Sequence, residues 1–330
     1  MNLDKLSEII KSSPSFRVKQ INKLLYQDLI SSWQEASVLP KDLRSKLETE
    51  CPLEINAQEV ALKDASVKAV ITLEDKQKVE AVLIKNSDQR NTVCVSSQIG
   101  CALGCKFCAT GQMGFIRNLS AKEIVEQVLY FARNLKEKNE KVDNIVFMGM
   151  GEPFLNIDNV FRAIEILNSE DKFNIGARKI SISTVGIKKG IDRLIKSKLQ
   201  VNLAISLHAP NDKLRSHLMP INKKQSIKEL LEIIDSYIEQ TGRQVMFEYV
   251  MIKGVNDNIK FASELADILH KKLYMLNLIR YNDSGVFQAS EEKQIQTFKR
   301  VLEKKGVRTT IRSSFGNEGQ AACGQLAVKK

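Results

Sequence analysis

The chain has 330 residues, 43% hydrophobic and 27% charged, the mix of a folded protein long enough to bury a sizeable core. That excludes a wholly disordered chain, and no apolar run approaches the roughly 20 residues a membrane helix needs. Fifty Lys and Arg against 39 Asp and Glu leave a net charge of +11, which favours a polyanionic partner, nucleic acid before membrane.

The first residues lack a basic leader followed by a long apolar stretch, so the expectation is a cytoplasmic chain without a secretory signal. Segments 3–11, 18–31 and 41–50 carry apolar residues at helical spacing, punctuated by Pro14 and Pro40, and predict three short helices. From residue 67 the period shortens. VKAVITL, KVEAVLI and TVCVSS read as strands separated by polar turns such as KNSDQRN. Beyond residue 92 apolar runs alternate with amphipathic stretches: NIVFMG (144–149), KISIST (179–184), VNLAIS (201–206), VMFEYV (245–250) and YMLNLI (274–279). Capping boxes, Ser120 with Glu123 and Ser226 with Glu229, mark two helix starts. VRTTIR (307–312) reads as a last strand. Six or so βα units imply a parallel sheet, either a complete or partial barrel or a doubly wound sheet. In both, the chemistry belongs in loops after the strand C-termini.

Six cysteines occur, at 51, 94, 101, 105, 108 and 323, and three of them fall within eight residues. A disulfide framework does not suit a long chain in a reducing compartment, so the cluster argues for metal. Cys101-Ala-Leu-Gly-Cys105-Lys-Phe-Cys108 is a CxxxCxxC motif in the loop after TVCVSS. Thiolates suit zinc or iron–sulfur clusters, and three ligands are one short of a closed cubane, leaving one iron for another ligand. Gly149-Met150-Gly151-Glu152-Pro153 follows the next strand, where unhindered backbone could approach a ligand.

Taken in order, CVSSQIGCALGCKFCATGQMGFIRNL, IVFMGMGEPFLN, ISISTVGI, VNLAISLHAP, LMPIN and AACGQL resemble the RlmN/Cfr RNA methyltransferases of the radical S-adenosylmethionine (SAM) superfamily, over residues 15–330. The resemblance implies an α/β fold, a radical SAM partial (βα)6 barrel with a small helical N-terminal domain and a short β-strand extension. The corresponding divisions are 1–66 (helical, RNA-binding), 67–86 (strand extension), 87–316 (barrel core) and 317–330 (C-terminal segment). It implies one [4Fe–4S] cluster on Cys101, Cys105 and Cys108, and two SAM molecules per turnover. SAM contacts are expected at Gly151, Glu152, Ser183, Ser206, Leu207, His208 and Asn282. Cys323 would carry a transferred methyl group as S-methylcysteine. Cys94 would be the resolving thiol, in a transient disulfide with Cys323, and Glu80 in KVEAVLI the proton acceptor. Cys51 matches no motif and is expected to be packed.

Such enzymes methylate adenine in 23S ribosomal RNA, the RlmN branch at C2 and in some members also in transfer RNA, the Cfr branch at C8. GMGEPFLN and AACGQL have an RlmN character, whereas LIRYN and TIRSSFG lean towards Cfr, and C2 is expected. Also implied are an electron donor such as flavodoxin or ferredoxin, no membrane partner and a monomer. The rival from another class is a non-catalytic iron–sulfur RNA-binding or sensor protein. Retention of Cys94, Cys323 and Glu80 together speaks against it.

Overall fold

The computed structural model describes residues 3–11, 13–62, 65–86, 88–312 and 321–327. Strands β1 (Ala57–Ala61), β2 (Val67–Thr72), β3 (Lys78–Lys85) and β4 (Asn91–Cys94) pair antiparallel in sequence order. A hairpin of β5 (Gln98–Gly100) and β6 (Phe115–Asn118) stands apart as a second sheet. The main sheet then turns parallel through β7 (Asn144–Phe147), β8 (Ile180–Thr184), β9 (Asn202–Ser206), β10 (Val245–Met251), β11 (Tyr274–Arg280) and β12 (Thr309–Arg312). β4 is the first strand of this parallel run. Six helical crossovers link its members, as a (βα)6 unit requires, and β12 adds a seventh parallel strand. Among the described residues β12 pairs only with β11, so the run does not close on β4.

Local chemistry sets the helix ends. Ser120 accepts from the Glu123 backbone amide while the Glu123 carboxylate accepts from Ser120 N, and Ser226 with Glu229 repeats the arrangement. Each box satisfies two amides that the first turn leaves without intrahelical partners. Helix Ile227–Thr241 ends at Gly242 with φ 66°, a left-handed cap that glycine adopts without strain.

Three expectations need correction. The second helix runs Ser15–Tyr26 and does not reach residue 31, because the chain folds back there. Ile30 N donates to Leu24 O at 3.1 Å and Leu29 takes φ 52°. A 3-10 turn, Trp33–Glu35, follows with its own capping box from Ser32. The antiparallel extension begins at Ala57, not 67; β1 is an exposed edge strand, and without a buried face it carries no alternation to read. The N-terminal helices also share one continuous apolar core with the sheet and its crossover helices. Trp33 is fully buried and donates Nε1 to Cys51 O at 2.8 Å, and Arg133 of helix Ala121–Lys136 reaches Leu53 O at 2.7 Å. Cys51 is packed in that core. The boundary expected at 316/317 lies outside the described residues.

Candidate active site

The C-terminal ends of β7 to β11 and the loop 101–108 surround a cleft holding about 950 Å³ of open space. Cys101, Cys105 and Cys108 line it together with Gly149, Gly151, Glu152, Ser183, Ser206, His208, Asn282 and Cys323. One cleft thus collects all but three of the residues expected from sequence: Leu207, Cys94 and Glu80 lie off it. Leu207 is fully buried and contributes backbone, its carbonyl accepting from Arg215 Nε at 3.2 Å.

The cysteine loop is held from both sides. Lys106 N donates to Leu218 O at 2.9 Å and Cys101 N to Gly114 O at 2.9 Å, while Cys105 packs against Leu218, Met219 and Tyr281. Burial pushes the Cys101 thiol up to about 11, with the neighbouring Cys108 adding to it, and raises Cys105 further. Arg215 opposes the rise at Cys105 without cancelling it, and buried thiols held up in this way are ionised most readily by a bound cation or cluster. Among the described residues no three Cys, His, Asp or Glu side chains are grouped to hold a single metal ion. Three thiols from one short loop, with no fourth protein ligand grouped beside them among the described residues, fit a cluster in which each cysteine takes a different iron.

The glycine turn is a packing requirement as well as an opening. A Cβ on Gly149 would stand 2.6 Å from Ser96 Oγ and 2.8 Å from Ser96 N, and one on Gly151, at φ +98°, 2.5 Å from Gln98 Cβ. The Glu152 carboxylate faces inward. It accepts from Thr184 Oγ1 at 2.6 Å, Val185 N at 2.9 Å and Phe154 N at 3.0 Å. It therefore braces β7 against β8, and any contact to a ligand falls to its backbone. His208 sits at φ 58°, with Nδ1 accepting from Val250 N at 3.1 Å and its ring edge against Phe107 of the cysteine loop, centroids 4.8 Å apart. Burial, then Arg215, lowers its pKa to about 3, so the ring is neutral.

Two buried polar atoms facing the cleft have no hydrogen-bond partner: Asn282 Oδ1 and Glu248 Oε1. Unpaired buried acceptors are costly and mark places where a ligand donor fits. With three clustered thiols and these acceptors lining it together, the cleft fits a cluster and a zwitterionic, hydroxyl-bearing cofactor such as SAM.

The segment 321–327 lies against this mouth. Ala109 N donates to Gly324 O at 2.7 Å, Thr110 Oγ1 to Leu326 O at 2.6 Å, and Asn282 Nδ2 to Cys323 O at 3.0 Å. Ala327 N donates to Glu80 Oε2 at 2.9 Å. Cys323 lines the cleft and also a second, smaller cavity whose wall includes Cys94, Met148, Ile279 and Arg312. Cys94 is 5% exposed; burial and Cys323 push it up to about 12, with Arg312 opposing. No disulfide joins the two. Glu80, 3% exposed, lines neither cavity. Burial raises its pKa against Lys68, whose Nζ lies 3.4 Å from Oε1.

Sequence reasoning missed Glu248, Arg312 and Arg215. The first two are charges at the middle and the end of apolar strands, a signal readable in VMFEYV and VRTTIR. Arg215, fully buried, donates to the carbonyls of Val185, Ser206 and Leu207 and so ties the ends of β8 and β9 together. Nothing local distinguishes it from a surface arginine.

Residues 95–265, about half the chain, match the radical SAM superfamily. The chain is 44% identical over 330 residues to a probable dual-specificity RNA methyltransferase RlmN of Dictyoglomus thermophilum, covering 98% of this chain and 94% of that protein. It is 42% identical over 323 residues to the ribosomal RNA large subunit methyltransferase N of Nitrosopumilus maritimus, covering 94% and 92%. The crystal structure of a radical SAM methyltransferase from Sphaerobacter thermophilus superposes with a TM-score of 0.94 at 43% identity, covering 100% of this chain and 98% of that one.

Proposed function

The chain belongs to the RlmN family of radical SAM RNA methyltransferases, and from that premise we propose that it methylates C2 of an adenosine in 23S ribosomal RNA, and an adenosine of transfer RNA as a second substrate, through Cys323. The observation that carries this reading is the position of Cys323 on two cavities at once, one shared with the three cluster cysteines and one with Cys94. The names of the relatives support RNA as substrate, and their RlmN character favours C2 over C8.

Cys101, Cys105 and Cys108 hold the [4Fe–4S] cluster, and Gly151, Glu152, Ser183, Ser206, Leu207, His208 and Asn282 form the SAM site. When bound, these cofactors supply a methyl group and the one-electron chemistry that makes a hydrogen-abstracting 5′-deoxyadenosyl radical. The remaining steps belong to the chain. Cys323 accepts the methyl on its thiolate, and the methyl, once it has lost a hydrogen atom, bonds to the electron-poor ring carbon. The adduct would return one electron to the cluster that Cys101, Cys105 and Cys108 would hold, and Glu80 takes the ring proton; a carboxylate whose pKa is raised by burial suits that task. The Cys94 thiolate then attacks the Cys323 sulfur. A disulfide forms, the carbon–sulfur bond breaks with its electron pair going to the methylene carbon, that carbon takes a proton from solvent, and the methylated base leaves.

A one-electron carrier of the flavodoxin or ferredoxin class completes the partners, and the enzyme works as a cytoplasmic monomer. Among the described residues no helix is long and apolar enough to cross a membrane. Mapping of modified adenines in RNA from cells with and without this gene tests the proposal. Loss of a 2-methyladenosine from 23S RNA is expected, and loss of an 8-methyladenosine instead contradicts it.

A further inference from the structure

Arg312, at the end of β12, lines both the smaller cavity, with Cys94 and Cys323, and the cleft, with Cys323 and Glu248. The residue is half-buried, and Nη1 donates to the thioether of Met148 at 3.3 Å. A thioether is a weak acceptor and leaves most of the guanidinium donors available. Glu248 is 3% exposed; its Oε2 accepts from Asn277 Nδ2 at 3.1 Å, while Oε1 has no partner. Cys94, Cys323 and Glu248 are the titratable groups that act on Arg312, Cys323 most strongly.

We propose that Arg312 is a positioning residue that holds Cys323 and Cys94 as thiolates when each has to act. This rests on the cysteine roles proposed above. Both steps need sulfur anions, because a neutral thiol neither displaces a methyl from a sulfonium nor opens a sulfur–carbon bond at useful rates. Burial opposes ionisation at Cys94, and the neighbouring Cys323 opposes it further, so the Cys94 thiol needs a nearby positive charge, and the same guanidinium lines both cavities that Cys323 lines. Arg312 supplies it without a proton exchange of its own, since the guanidinium stays charged. The proton released on ionisation passes to solvent through the cleft. Glu248 balances the guanidinium before a thiolate forms, and Arg312 meets whichever sulfur becomes negative. One cation thus serves two thiols that act at different times.

The test uses cluster-loaded protein whose Cys323 carries no methyl by intact mass. The rate of iodoacetamide labelling of Cys323 and Cys94 is followed between pH 6 and 10 by peptide-resolved mass spectrometry. In Arg312→Met, labelling of both at pH 8 should fall about tenfold, the size expected for removing an adjacent charge. Arg312→Lys, which keeps the charge, should restore most of the loss. Melting curves and iron content identify variants that are merely misfolded, and Arg312→Lys serves where Arg312→Met fails to fold. Superimposable profiles for parent and Arg312→Met overturn the proposal, as does an equal fall in Arg312→Lys. If the adenine product proves not to be C2-methylated, the proposed function fails while the labelling profile still decides the role of Arg312.

Discussion

The cleft and the smaller cavity beside it meet at Cys323 yet differ in what lines them. The cleft has the three clustered thiols besides Cys323, a glycine turn, a neutral histidine and two unpaired acceptors, open to solvent. The smaller cavity has aliphatic walls, one arginine and a thiol that is almost wholly buried. On the roles proposed above, the first would take the polar cofactors and a nucleobase, the second would hold the releasing nucleophile. The two cavities share a wall of Met148, Ile279, Asn282, Arg312 and Cys323, so what separates them is the residues each has alone: Cys101, Cys105 and Cys108 in the cleft, Cys94 in the smaller cavity.

The largest effect should come from the cleft alone. Cys105→Ala should lose the cluster and all methylation, with iron falling from about four per chain towards zero; a colourless, fully active protein would erase the distinction between the cavities. Gly149→Ala comes next. Its new Cβ would meet Ser96 Oγ at 2.6 Å and also backbone, Ser96 N and Val95 C at 2.8 Å, which cannot swing aside. The expected cost is about 2–3 kcal/mol, seen as a lower melting temperature, and an unchanged melting curve would mean that the turn is looser than its contacts suggest.

A pH test sharpens the picture of His208. Its pKa in the folded chain, about 3, lies below the ordinary 6.5, so between these values the unfolded chain binds the extra proton. Stability is therefore intact above pH 6.5 and declines as pH falls, by about 2 kcal/mol from pH 6.5 to 5. His208→Asn, which tolerates the left-handed backbone and keeps an acceptor for Val250 N, should flatten that decline. The same slope in the variant would assign the loss to other groups. The smallest effect concerns charge far from both cavities. Deleting the N-terminal helices would strip the shared core, so substitution is the cleaner probe. Changing exposed Lys11, Lys19 and Lys23 to Glu should lower the salt slope of RNA binding by about one for each lysine that meets a phosphate. An unchanged slope would leave these helices outside the RNA interface.

What could be read from sequence follows from how locally each feature is encoded. The cysteine spacing, the glycine turn and the strand ends lie within short motifs, and the capping boxes at Ser120 and Ser226 are four-residue patterns. All reappear in the structure as expected. The exposed strand β1 lacks a buried face, so alternation could not reveal it. The joining of the N-terminal helices to the main core depends on contacts such as Trp33 with Cys51, whose long-range packing leaves no periodic trace. Glu152 was legible as a site residue, but its carboxylate turned out to brace Thr184 and Val185, a direction of side chain that sequence does not specify. Glu248 and Arg312 were visible as charges in strands, and only the fold brings both to the cleft with Cys323, and Arg312 on to Cys94.

The division of labour between the two cavities is tested most directly with Cys94→Ala, incubated anaerobically with RNA, SAM and reductant. The substitution leaves the cleft intact and removes the only thiol expected to release the adduct. RNA should remain covalently attached to the protein through Cys323, visible as a nuclease-sensitive band of low mobility on a denaturing gel, with no free methylated product. Turnover at the parent rate, with no such band, would contradict the account and leave Cys94 as a small buried strand residue.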